Sequence, residues 1–156
     1  MPTSIMVKTT LDKVLPEMHS KVIVDMGSGW GHLIFFLASK YQTCRVVGYE
    51  NSLIPYLFSR LINQQKNLKI FRTNFYDASL DHADMVVCYL FPVGMAKLKK
   101  KLDKELKLGA YVMSHTFAIN GWEPEAVIDV DDLHRSKIYL YRKEIPSIKR
   151  PQERKA

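Results

Sequence analysis

Val22-Ile23-Val24-Asp25-Met26-Gly27-Ser28-Gly29-Trp30-Gly31-His32 is the stretch that decides the fold. Its first three residues are apolar and β-branched, which suits a short strand buried on both faces, as in a central parallel sheet. The strand ends on a carboxylate, Asp25, and runs directly into three alternate glycines. Glycine tolerates positive φ and lets the backbone approach a ligand closely. A helix that starts behind such a turn offers free N–H groups to a carboxylate or phosphate. In open α/β sheets this turn lies at the carboxyl ends of the strands, where ligands bind.

Working outward, residues 31–40 are apolar nearly all round and predict a buried helix. Strand-like runs at 21–25, 44–50, 68–72, 83–89 and 110–115 alternate with helical segments, the pattern of repeated βαβ units. A second helix is expected over 52–62, with Asn51 or Ser52 as its N-cap and Pro55 in its first turn. A third spans 94–108, with Met95, Leu98, Leu102 and Leu106 on one face and lysines around the rest, stopped by Gly109. Residues 126–130 and 137–142 suit an antiparallel hairpin. Near the start, Ser4 is placed to cap a helix reaching residue 15, broken by Pro16. The expectation is a mostly parallel, seven-stranded, doubly wound α/β sheet with an antiparallel C-terminal hairpin. It forms one domain over 1–145, followed by a basic tail at 146–156.

The chain has 156 residues, 47% hydrophobic and 25% charged, as in an ordinary globular domain. No apolar run approaches the roughly 18 residues of a membrane span, and the first ten residues lack a leader's apolar core. Cys44 and Cys88 each lie in or beside an apolar strand and read as reduced, buried side chains. His19, His32, His82, His115 and His134 are scattered, so no metal site is expected. Of the net charge of +7, the last 22 residues carry +6. Such a segment either attracts an anionic partner or is a solvated, solubilising end.

The glycine spacing is G-x-G-x-G, with His32 where a dinucleotide fingerprint has its third glycine, which disfavours NAD. Glu50 closes the next strand 25 residues after Asp25, placed to accept hydrogen bonds from a ribose diol. Together with Val46-Val47-Gly48-Tyr49-Glu50, the opening stretch resembles class I S-adenosylmethionine-dependent methyltransferases, which share a Rossmann-like fold. The resemblance implies S-adenosyl-L-methionine as cofactor. It assigns Asp25, Met26, Gly27, Ser28, Gly29 and Gly31 to the methionine part, Glu50 with its neighbour Asn51 to the ribose, and Asn74 and Phe75 to the adenine border.

By the same resemblance, the end of the fourth strand, Val87-Cys88-Tyr89-Leu90-Phe91-Pro92, faces the transferable methyl group. It differs from the Asn-Pro-Pro-Tyr motif of many nucleobase and glutamine methyltransferases. The stretch 83–122 is closer to a small protein-lysine methyltransferase-like branch with archaeal and mitochondrial members. Tyr89-Leu90, Leu106-Lys107-Leu108-Gly109, Val112-Met113-Ser114-His115, Phe117 and Gly121-Trp122 carry that similarity. Pro2-Thr3-Ser4 resembles an element of the branch that closes the cofactor site, which adds Thr3 and Ser4 to the cofactor set. Members often carry a membrane anchor just before that element, where this chain begins. A cytoplasmic location is therefore expected, with peripheral membrane association should an anchor stand upstream in the natural gene.

Tyr89, Pro92, His115 and Trp122 form the candidate catalytic set, Tyr89 also touching the cofactor. Methyl transfer is an in-line displacement by a neutral nucleophile, so alignment and desolvation supply much of the rate. For a lysine acceptor, Tyr89, Phe91 and Trp122 would line an aromatic channel, with Tyr89 or a water taking the proton. The plainer reading makes Phe91 and Trp122 core or rim aromatics and His115 a structural histidine. Asp77 and the run Asp129-Val130-Asp131-Asp132 are read as loop carboxylates. A protein lysine is the expected acceptor. The alternatives are RNA drawn by the basic tail, a small molecule, or a catalytically silent cofactor-binding module.

Overall fold

A computed structural model describes residues 5–132 and 135–144. The elements run α1 (Ile5–Val14), β1 (Val22–Met26), α2 (His32–Lys40), β2 (Arg45–Glu50), α3 (Leu53–Ile62), β3 (Leu68–Arg72), β4 (Met85–Cys88), α4 (Pro92–Glu105), β5 (Tyr111–His115), β6 (Ala126–Asp129) and β7 (Lys137–Arg142). They make one seven-stranded sheet in the order β3-β2-β1-β4-β5-β7-β6. The five strands β1 to β5 pair in parallel, and β7 runs antiparallel to both β5 and β6. The doubly wound sheet and its C-terminal hairpin are as the sequence implies.

Alternation along the buried strands separates two cores. Ile23, Val46, Met85 and Val87 point into the layer holding Val7 and Leu11 of α1 and Ile34 and Leu37 of α2. Val24, Val47, Val86 and Cys88 point the other way, against Met95, Leu98 and Leu102 of α4. The period of two in a strand makes that division. Each fully buried aliphatic side chain contributes roughly 1.5–3 kcal/mol. A run such as Val22-Ile23-Val24 therefore commits the strand to the centre.

Boundaries move for local reasons. α2 starts at His32 because Gly31 is its N-cap, with φ 91. α4 begins two residues earlier than expected, since Pro92 pre-sets a first-turn φ and loses no helix hydrogen bond there. It also ends earlier: Leu106 leaves the helix in an extended conformation with its side chain buried. Gly109 (φ 79) therefore serves the turn into β5 and not the helix stop. Below that end, the ammonium of the buried Lys143 donates to the carbonyls of Leu102 and Asp103, both at 3.1 Å. A cation is favourable at a helix C-terminus. One of the basic residues in the C-terminal 22 is thus a buried cap and not part of a solvated face. Ser52 occupies the N-cap position of α3 without a side-chain hydrogen bond. Thr3, Ser4 and the tail at 146–156 lie outside the described residues.

Candidate functional site

After β3 the chain crosses back over the sheet to place β4 beside β1, so β1 lies at the point where the winding reverses. Asp25 stands there, in register with Gly48 of β2 and Val87 of β4. Gly48 is required by space: a Cβ on it would stand 2.4 Å from Ile34 Cδ1 and 3.0 Å from Ser28 Oγ. Its absence lets the glycine turn fold back over β2, where the N–H groups of Gly27 and Ser28 both donate to the Tyr49 carbonyl at 2.9 and 3.0 Å. Gly27, Gly29 and Gly31 all have left-handed φ values, 90, 52 and 91. Gly31 is doubly constrained, because a Cβ there would lie 2.4 Å from the Phe35 ring.

Glu50 ties this turn to the next helix. Its Oε2 accepts from Gly29 N–H at 2.8 Å and its Oε1 from Ser52 N–H at 2.7 Å. Each oxygen keeps acceptor capacity, so the carboxylate can shape the loop and still meet a diol. Asp25 is almost fully buried, and neither its Oδ2 nor Ser28 Oγ has a protein partner among the described residues. Burial, reinforced by the charge of Glu50, pushes the Asp25 carboxyl up to about 7. An unpartnered buried polar atom costs about 1–3 kcal/mol, and two together in one turn suggest that a ligand satisfies them. Met26 side-chain atoms are in the core, so only its backbone belongs to the turn. Asn51 is exposed beside Glu50.

The loop after β3 approaches the glycine turn from the side of Gly27. Asn74 Oδ1 accepts from Tyr76 N–H at 3.2 Å, and its carbonyl accepts from Asp77 N–H at 2.9 Å. This coil holds the Phe75 ring 3.8 Å from where a Cβ on Gly27 would stand. Asp25, Gly27, Ser28, Gly29, Glu50 and Phe75 thus form one cradle. Two carboxylates, a side-chain-free turn and an aromatic face fit a cationic amino acid joined to a nucleoside.

At the ends of β4 and β5 the Tyr89 ring packs on the His115 imidazole with centroids 4.9 Å apart. His115 Nε2 lies 3.2 Å from Ser136 Oγ, which donates to Asp132 Oδ2 at 2.6 Å. The Ser136 N–H also donates to Asp132 Oδ1 at 2.9 Å. Serine has one hydroxyl proton, and a carboxylate only accepts. Ser136 Oγ must therefore accept from a protonated Nε2, which makes Nδ1 the acceptor nitrogen of a neutral His115. Burial holds the imidazole pKa below its usual value, opposed by the Asp132 charge. The next residue, Thr116, has φ 74, a conformation rarely adopted by a β-branched residue and costing about 1–3 kcal/mol.

Pro92 is the first residue of α4, and Phe91, 75% exposed, lies 6.0 Å from the Phe117 ring. Both belong to the rim. Trp122 is not brought to this mouth. Its indole N–H donates to Asp103 Oδ1 near the far end of α4, at 2.9 Å, and its ring packs on Tyr141 beneath the Lys143 ammonium. It braces the opposite end of the sheet, which its amphipathic ring suits. The reading of Asp132 as an idle loop carboxylate is also corrected, because it anchors Ser136 and through it His115. Sequence reasoning missed Ser136 altogether. The available signal was the i, i+4 spacing of Asp132 and Ser136 just before β7, the strand that pairs with β5.

A family model described as the ANTKMT methyltransferase domain matches residues 25–126. A protein-lysine N-methyltransferase of Saccharolobus islandicus is 32% identical over 146 residues, 90% of each chain. A lysine N-methyltransferase of Xenopus laevis, named for a component of ATP synthase, is 28% identical over 86% of this chain and 62% of its own length. Its counterpart in Homo sapiens is 32% identical over 67% of this chain and 46% of its own. The chain thus spans about half to two thirds of these animal relatives. Among solved structures, an RNA methyltransferase from Salinibacter ruber in complex with S-adenosyl-L-homocysteine superposes with a TM-score of 0.83 at 25% identity, covering 94% of this chain and 97% of that one.

Proposed function

The chain belongs to the ANTKMT methyltransferase domain family and is an S-adenosylmethionine-dependent methyltransferase, and from that premise we propose that it methylates the ε-amine of lysine in another protein. The observation that carries the acceptor is the pair at the mouth: an aromatic ring, Tyr89, packed on a histidine whose proton is fixed on Nε2 by Ser136 and Asp132. An amine acceptor must arrive at the methyl carbon without its proton. Likeness to a protein-lysine N-methyltransferase across nearly the whole of both chains supports the same reading.

In the proposed arrangement, Asp25 and Ser28 hold the amino-acid end of the cofactor, Glu50 the ribose hydroxyls, and Phe75 with Asn74 the base. When bound, the cofactor would supply the transferable methyl group on a sulfonium, to be taken by the lysine nitrogen with the thioether as leaving group. Tyr89 offers its ring face to the incoming ammonium. His115 Nδ1 takes the proton, and the imidazolium so formed is stabilised through Ser136 by the Asp132 carboxylate. Loss of water as the amine packs against the Tyr89 ring disfavours the charged form and so favours its release of that proton.

A second reading, an RNA acceptor, is favoured by the fold match to the Salinibacter ruber protein and by the basic C-terminal segment. One experiment separates the two. The protein is incubated with methyl-labelled S-adenosylmethionine and cell extract, and the label is then challenged with protease and with nuclease. Protease-sensitive label carrying methyl-lysine on amino-acid analysis is expected. Label released by ribonuclease and resistant to protease would move the assignment to RNA.

A further inference from the structure

Helix α3 turns its apolar face outward. The side that meets the sheet carries Tyr56, the fully buried Ser59 and Asn63, whose amide donates to the Leu68 carbonyl. Leu53, Ile54, Leu57, Phe58 and Leu61 lie on the other side, between 44% and 84% exposed. Their spacing puts them on one stripe. Trp30, itself 46% exposed, packs edge-on against Phe58 with centroids 5.3 Å apart and extends the stripe to the glycine turn. Scattered exposed aliphatics need no explanation, but a contiguous patch of this kind marks an interaction surface.

Apart from the buried Glu50 at its N-terminus, the segment that carries the stripe has charge of one sign. From residue 51 to residue 76 the sequence contains Arg60, Lys66, Lys69 and Arg72 and no aspartate or glutamate. Between α3 and the edge strand β3 lies a cleft of about 310 Å³, lined among others by Tyr56, Arg60, Lys69 and Phe71. We propose that this face docks on a bilayer surface bearing anionic headgroups. The ten-residue helix lies along the membrane with its stripe at the acyl boundary, and Arg60, Lys66 and Arg72, with the cleft, meet lipid phosphates. A second copy of the chain is the poorer occupant, because a two-fold contact would set these cations against their own symmetry mates. The inference does not rest on the lysine reading. Through Trp30 it sets the cofactor end of the sheet beside the lipid.

The test uses the full chain and sedimentation with phosphatidylcholine vesicles, with and without phosphatidylglycerol. The protein should pellet with the anionic vesicles only, and less as salt is raised. Leu57→Glu and Leu61→Glu should each lower partitioning by about tenfold or more, while binding of S-adenosyl-L-homocysteine is retained. A wild-type protein that stays in the supernatant overturns the proposal. So does a double variant that pellets like wild type, since binding would then come from another basic segment, or a wild-type dimer that the double variant splits. Fluorescence gives a readout without touching α3. In a Trp122→Phe background the emission of Trp30 should shift to the blue on adding anionic vesicles and be quenched by brominated acyl chains. No shift overturns the inference even if the glutamate variants fail to fold.

Discussion

Asp25→Asn isolates the one titration that the fold and the cofactor should both feel. In the folded, cofactor-free protein the carboxyl titrates at about 7, against an ordinary value of 3.8. Because the folded value is raised, the native state keeps a proton that the unfolded chain has already released. The stability this confers is complete below about pH 4 and is lost as pH rises towards 7. Between pH 5 and pH 8 about two pH units of that window are crossed, an upper bound of about 3 kcal/mol at 1.4 kcal/mol per unit. Interaction with Glu50 and relaxation around the turn make about half of that the working figure, a fall in Tm of about 3–6 °C for a domain of this size. Asparagine has nothing to titrate, so this pH-dependent fall should disappear in the variant.

Ligand affinity should move the opposite way. A cationic amino acid needs the carboxylate, whose population rises about tenfold between pH 6 and pH 8 for a group titrating near 7. Calorimetric titration with S-adenosyl-L-homocysteine at three pH values should show that rise in the wild type and a weak, flat affinity in Asp25→Asn. Comparing the two proteins removes the ligand's own titration. Identical pH dependence of both Tm and affinity in the two would refute the reasoning, because Asp25 would then not be the titrating group.

Three further perturbations bear on the site and its frame. Ser136→Ala should lower kcat by about tenfold with little change in cofactor KM and should alter the acid limb of the pH–rate profile, as the Nε2 proton loses its fixed partner; an unchanged profile would leave Ser136 merely structural. That acid limb lies below 6.5 in the wild type, since burial lowers the His115 pKa. Gly31→Ala should lose about 2 kcal/mol or more in urea unfolding, through both its positive φ and the Phe35 ring. Trp122→Phe should cost about 1 kcal/mol by losing the Asp103 hydrogen bond and leave kcat within about twofold; a collapse of kcat without loss of stability would return Trp122 to the mouth.

The parts of this architecture that were legible in the sequence are those fixed by local chemistry. β-Branched runs, glycines at positive φ and the spacing from Asp25 to Glu50 specify the sheet and the turn with no knowledge of tertiary contacts. Glu50 illustrates the limit. A carboxylate at a strand end reads as a ribose partner, yet its present bonds to Gly29 and Ser52 depend on how the loop folds back. The relay from His115 to Asp132 was less visible still, because β5 and β7 are separated by a long excursion and meet only through antiparallel pairing. Trp122 was misplaced by the reverse error. It follows β5 in sequence, but the chain descends again before reaching it, so closeness to His115 along the chain is not closeness in space.

Helix α3 exposes a different ambiguity. The sequence predicts a helix over 52–62 from its cap and its Pro55, and its apolar residues do not say which side turns inward. Here the sheet edge at β2 and β3 is met by tyrosine, serine and asparagine, and the leucines and Phe58 face out. Amphipathicity gives an axis without a sign. The charge pattern supplies one: with Glu50 buried at its N-terminus, the charges of the helix and of the segment after it, as far as residue 76, are all cations, which suits an anionic partner on its outer side. Trp30 joins that side to the glycine turn, and the same turn carries Asp25 at its base. If α3 rests on a membrane, cofactor cradle and lipid surface share one loop, and docking should reach the site through Trp30 and Gly29. Cofactor affinity measured with and without anionic vesicles should therefore differ in the wild type and not in Leu57→Glu/Leu61→Glu.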